Sequence, residues 1–151
     1  MFQASLLGCA QGKDVNAGPA QSKVELLATH LANKEIGQLE IIQLSPSVLT
    51  RTSVTQELLE TGFDYKFVIH DMRAGAYRDG AVQAVRSVET QSDSNLADLR
   101  WAVIFYDTND ARVGAVYFDK TGRHGAVDKI PVAFKGNFFK WLDANFSSSF
   151  R

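Results

Sequence analysis

Apolar and polar residues recur at two different periods along this chain, and the changes of period mark its elements. From Ser22 the period is helical: Val24, Leu27 and Leu31 share a face, Ser22 to Glu25 forms a capping box that starts the helix, and Gly37 supplies its stop. His30 borders that stripe and reads as a boundary residue rather than a ligand. QLEIIQLS, residues 38–45, is β-rich and halts at Pro46. The capping pattern returns at Ser53–Val54–Thr55–Gln56, ahead of a short helix ending at Gly62. FDYKFVIHD then alternates with period two, placing Phe63, Tyr65, Phe67 and Ile69 on one face and Asp64, Lys66, Val68 and His70 on the other.

Residues 72–80, MRAGAYRDG, read as a loop with two glycines. The next stretch, AVQAVRSVET (81–90), carries both periods. Val82, Val85 and Val88 fit a helix loosely, but the valine content and the Asp79–Gly80 turn favour a strand, which is the expectation here. QSDSNLA, residues 91–97, is a polar loop. LRWAVIFYDT (99–108) and ARVGAVYFD (111–119) flank Asn109–Asp110 and predict a hairpin whose two strands are apolar enough to be central. Lys120 to Arg123 forms a second turn, and Gly125 to Ile130 pairs back to complete a meander. GNFFKWLDANF (136–146) predicts a last helix with Phe138, Trp141, Leu142 and Phe146 on one face and Asn137 as its cap. Eleven of the 16 aromatic residues lie at or after Trp101, which puts the core between this hairpin and this helix. The expected fold is α+β: a curved antiparallel sheet of four to six strands with two or three helices packed on one face.

Composition adjusts this picture in few places. The 151 residues suit one domain, and a net charge of −1 gives no global pull toward nucleic acid. The charge is uneven: residues 120–151 carry 6 bases against 2 acids, a surface asymmetry able to orient a charged partner. One cysteine excludes an internal disulfide, a state compatible with an exported or an internal protein. No stretch approaches the roughly 20 apolar residues needed to span a bilayer.

The first residues add a compartment. Leu6-Leu7-Gly8-Cys9 resembles the bacterial lipobox, with a leucine three before the cysteine and a small residue just before it. Leu7 departs from the usual small or β-branched middle residue. The eight residues before Cys9 contain no Lys or Arg and only a stub of an apolar region, so they read as the tail of a signal. AQGKDVNAGPA, residues 10–20, has the small and polar composition of a flexible tether. The resemblance implies a lipid attachment at Cys9 and a periplasmic or membrane-anchored lipoprotein, with a cytoplasmic location as the alternative. Residues 1–20 are thus expected to be signal remnant and tether, and residues 21–151 a single globular domain.

Chemistry-bearing patterns are sparse. The histidines, His30, His70 and His124, lack metal-ligand spacing and have no second cysteine to join them, so no metal or other cofactor is expected. There is no phosphate-binding glycine motif, and K-T-G-R-H-G (120–125) reads as a turn. The strongest candidate is HDMRAGAYRDG, where His70, Asp71, Arg73, Tyr77, Arg78 and Asp79 cluster after a strand. Tyr and Arg are residue types enriched at binding hot spots. Together with Lys120, Arg123 and His124 these residues form the expected partner-binding set. The expected function is that of a small non-enzymatic binding protein of the bacterial envelope, for instance an inhibitor or immunity-type protein that caps a protein partner. The alternatives are a small hydrolase using His70 or His124 with Asp71, Asp107 or Asp119, and a small-ligand site on the concave sheet face lined by the late aromatics.

Overall fold

The computed structural model describes residues 18–147. Cys9, the lipobox-like stretch and the tether up to residue 17 lie outside the described residues. The elements run α1 (Gly18–Ala32), β1 (Ile36–Gln43), α2 (Gln56–Gly62), β2 (Tyr65–Ile69), α3 (Ala76–Arg86), β3 (Glu89–Ser92), β4 (Leu99–Asp107), β5 (Arg112–Asp119), β6 (His124–Val127), β7 (Ile130–Lys135) and α4 (Phe138–Phe146). All strands join one open antiparallel sheet in the order β2-β1-β4-β5-β6-β7-β3. The fold is therefore α+β with an antiparallel sheet, and β4 through β6 form the expected meander, which β7 extends.

The sheet has seven strands rather than four to six, because the chain after β6 continues as a further strand, β7, with which β3 pairs at the edge. Helices cover both faces. On one face α1, α3 and α4 bury Leu27, Leu31, Val82, Val85, Phe138, Leu142 and Phe146 against Leu39, Trp101, Val103, Phe105, Val116 and Phe118. On the other, α2 and the loop before it bury Val54 and Leu59 against Ile42, Ala102, Ile104, Ala115 and Tyr117. β4 is covered on both sides, which explains its apolar run from Trp101 to Tyr106.

Several boundaries move for identifiable reasons. The first turn of α1 takes in Gly18, Pro19 and Ala20, since proline suits the first helical position and Ala20 is buried. The helix ends not at Gly37 but at a left-handed Lys34 (φ 62°), where Glu35 N–H returns to His30 O at 2.8 Å. Gly37 instead belongs to β1, at a shift of register between Ile36 and Gln38. α2 starts as expected, but its cap is Thr55, which accepts from Leu58 N–H at 3.2 Å. Phe63 precedes β2 and turns to the α2 side, so only Phe67 and Ile69 of its alternating set join the larger core.

The expected strand over 81–90 is a correction. Residues 76–86 are helical, and the strand begins only at Glu89. Ala81, Val82, Ala84 and Val85 are all buried, and Gly80 lets Trp141 approach so closely that a Cβ there would stand 2.7 Å from its indole nitrogen. Packing against α1 and α4 overrides the β-propensity of the valines.

Candidate functional site

The expected contact surface divides between two ends of the sheet. Ile69 pairs with Leu39, and Ile36 of the same strand pairs with Asp107, so His70 and Asp71 leave the sheet at the β4–β5 hairpin end. Asp119 pairs with Leu99, so Lys120, Arg123 and His124 lie at the other end. Loop 70–75 and turn 120–123 therefore do not form one continuous face.

Within the first group, Asp71 closes on Arg73, accepting from its Nε at 3.1 Å and its backbone N–H at 3.0 Å. Those bonds hold the exposed carboxyl below the ordinary aspartate range. Tyr77, Arg78 and Asp79 are not loop residues. They form the first turn of α3, which starts after Gly75 at φ 94°. Tyr77 stacks on Phe146, with centroids 5.5 Å apart. Arg78 donates to Ala32 O at 3.3 Å and pairs with Asp79 at 3.0 Å, tying α3 to the end of α1.

At the other end, His124 Nδ1 lies 2.8 Å from an Asp93 oxygen. The Asn95 N–H and then this imidazole hold the Asp93 carboxyl below its usual range. Asp93 is not among the acids expected to partner a histidine, and loop 91–97 reads as polar spacer until β3 and β7 bring it alongside β6. Neither His70 nor His124 borders the concavities around Arg100, Trp101, Glu60 or Val85.

The lower-numbered loops at this same end hold what sequence reasoning missed. Arg100 is buried, only 5% exposed, and its guanidinium donates to Ser45 O and Val48 O, both at 2.9 Å, and to Asp98. Asp98 in turn accepts from Val54 N–H at 2.7 Å, and Leu99 N–H donates to Val54 O at 3.1 Å. Burial raises the Asp98 carboxyl, but the Val54 N–H and the charges of Arg100 and Lys120 outweigh it, so its pKa lies below the ordinary value. This network stitches loop 45–55 to the start of β4. It leaves Leu49 93% exposed and Leu96, two residues before Asp98, 82% exposed. Beside Leu49 a concavity of about 440 Å³ is lined by Pro46, Arg51, Asp98, Arg100 and Lys120 among others. A leucine outside any periodic segment, flanked by Ser, Pro, Thr and Arg, is the only local signal that marked Leu49.

A second polar constellation sits on the α2 face. Arg112 pairs with Glu60 at 2.6 Å and donates to the Tyr117 hydroxyl at 2.8 Å, and that hydroxyl donates to the other Glu60 oxygen. Burial and the Glu60 carboxylate push the phenol above its ordinary pKa. Burial also raises the Glu60 carboxyl, but bonds from Arg112 and Tyr117 outweigh it and leave the pKa below the usual glutamate value. The adjoining concavity, about 700 Å³, mixes Glu57, Glu60 and Asp128 with Arg112 and Lys129, so it has no dominant charge.

Most of the late aromatics pack in the core, while Trp101 and Phe139 also border a concavity of about 380 Å³ with Gln43, Tyr65 and Lys120. Phe118 meets Phe134, Phe138 and Phe139 with centroids 4.7–5.6 Å apart, and Phe105 and Phe118 are at most 1% exposed. Three helices pack on that face of the sheet. Among the described residues no three His, Cys, Asp or Glu side chains are grouped to hold a metal ion, and no helix is long and apolar enough to cross a membrane. Comparison of the chain with family models, with curated proteins and with solved structures gives no match.

Proposed function

We propose that this is a non-catalytic binding protein that holds a protein partner at the end of the sheet formed by loops 45–55 and 93–98 and the β5–β6 turn. The observation that carries the reading is the exposure of Leu49 and Leu96 on loops pinned through the buried Arg100 and the partly exposed Asp98. An exposed leucine alone is ordinary. Two on adjoining loops, one of them fastened to the start of β4 by four hydrogen bonds, form a pre-ordered apolar contact that loses little entropy on docking. Arg51 and Lys120 rim the contact with positive charge, so the complementary partner surface is acidic with an apolar recess. An inhibitor or immunity-type protein that plugs the acidic cleft of a toxin or hydrolase has this chemistry. The lipobox-like Leu6–Cys9 stretch supports a place at the bacterial envelope, tethered through Cys9.

The hydrolase alternative draws on the His124–Asp93 pair, which orients the imidazole. That histidine is half exposed and lies outside the concavities beside Leu49 and beside Glu60.

The test is affinity capture from the native host with mass spectrometry, using the full chain, the Leu49→Asp/Leu96→Asp variant and Arg73→Glu at the opposite end. A stoichiometric partner kept by Arg73→Glu and lost by the leucine variant supports the reading. A partner retained by the leucine variant, or a chain that stays alone, overturns it.

A further inference from the structure

The two edges of the sheet are built differently. Edge strands expose unpaired backbone groups, and proteins blunt them by shortness, charge, bulges or a cover. The β3 edge shows these devices. It has four polar residues, Glu89 among them, and Gln21 of α1 covers it: the side-chain oxygen accepts from Thr90 N–H at 2.8 Å and the amide donates to Val88 O at 3.1 Å. The β2 edge carries the sequence YKFVI, five residues with no proline, in unbroken register with β1. Its one charge, Lys66, is exposed but leans toward β1: Nζ lies 3.3 Å from Glu40 and over the Phe63 ring at 5.6 Å. A lysine so paired does little to repel an incoming strand.

We propose that β2 is a strand-pairing surface for a second copy of this chain, joining antiparallel about a two-fold axis at Phe67. Side chains directly opposite in an antiparallel pair share a face, so only registers that match odd with odd residues keep the core-facing side chains together. Among these the register centred on Phe67 overlaps all five residues. It sets Phe67 against Phe67 and Tyr65 against Ile69 on the helix face, and Lys66 against Val68 on the other. No like charges oppose each other, and the strand is complementary to itself, as an isologous dimer requires. The stack of Tyr77 on Phe146 and the Phe67–Phe146 contact, 5.0 Å between centroids, back the pairing strand on the helix face. The two sheets would become one of fourteen strands, twice the seven in each copy.

Sedimentation of the full chain under reducing conditions, across a concentration series, tests this. The expected result is a reversible monomer–dimer equilibrium. Val68→Lys places a second ammonium opposite Lys66 at two symmetry-related positions and is expected to weaken the dimer roughly tenfold. Adding Lys66→Glu converts both contacts to opposite charges and is expected to restore association; within each copy Glu40 on β1, the partner of position 68, faces the ammonium that Val68→Lys brings in. Glu89→Lys at the other edge should leave the equilibrium unchanged. A wild-type chain that stays monomeric throughout overturns the proposal. So does a dimer that survives Val68→Lys in folded protein, or a folded double variant that does not associate.

Discussion

Arg100 and Asp98 stand two residues apart at the start of β4, and the guanidinium closes on the carboxylate through two nitrogens, at 2.9 Å and 3.1 Å. The same guanidinium holds two carbonyls of loop 45–55 while the carboxylate holds the Val54 amide. One ion pair thus fixes a loop more than 40 residues away in the chain.

Replacing Arg100 by Met keeps the stem but leaves Ser45 O and Val48 O without their donor. The expected cost is about 2–3 kcal/mol, the scale for stranding buried polar groups. Urea unfolding measures it. Hydrogen exchange should show the loss of protection concentrated in residues 45–54, with the β4–β5 hairpin unaffected.

Tyr117→Phe removes a hydroxyl shared by Glu60 and Arg112, and should cost about 1–2 kcal/mol. The pH dependence has a definite sign. The Glu60 carboxyl titrates lower in the folded chain than in the unfolded one. Its contribution is therefore present above the unfolded value, near about pH 4.3, and is lost as pH falls through the folded value. Tyr117→Phe should flatten the decline of stability in that acid window, and a melting series from neutral pH down to about pH 3 reads the slope.

Gly136 joins β7 to α4 at φ 115°, and a Cβ there would lie 2.4 Å from Ser87 O. Gly136→Ala meets both backbone strain and a clash with main chain that cannot swing aside. A loss of about 2 kcal/mol or more is expected, read as a lower thermal midpoint. Releasing the Asn137 N–H bond to Ser87 Oγ would loosen the start of α4 with it.

Leu49→Ser with Leu96→Ser should change folding stability by less than about 0.5 kcal/mol, since both side chains already sit in water. An unchanged melting midpoint in these variants would separate their role in contact from any role in folding. A drop comparable to that of Arg100→Met would place the leucines in the fold instead.

Where sequence and structure agree, the signal is local. The β4–β5 hairpin, α2 and the apolar face of α4 each rest on periods and turn residues within about a dozen positions. Where they part, a distant partner intervenes. Val82 and Val85 read as strand until α1 and α4 are placed on them, and Tyr77 to Asp79 read as loop until α3 is packed. Arg100 reads as one polar position in an apolar strand, and nothing near it announces two carbonyls 52 and 55 residues upstream.

By itself the sequence determined the class of fold, the order of its strongest elements and which residues must be buried, because periodicity is written into neighbouring side chains. Only the tertiary structure decided that, among the described residues, β3 with Gln21 over it forms one edge of the sheet and β2 the other. It also decided that the 70–75 loop and the 120–123 turn sit at opposite ends, and that Leu49 and Leu96 share one. These follow from strand order and register, which depend on contacts between residues far apart in the chain and on how the helices divide two faces of one sheet.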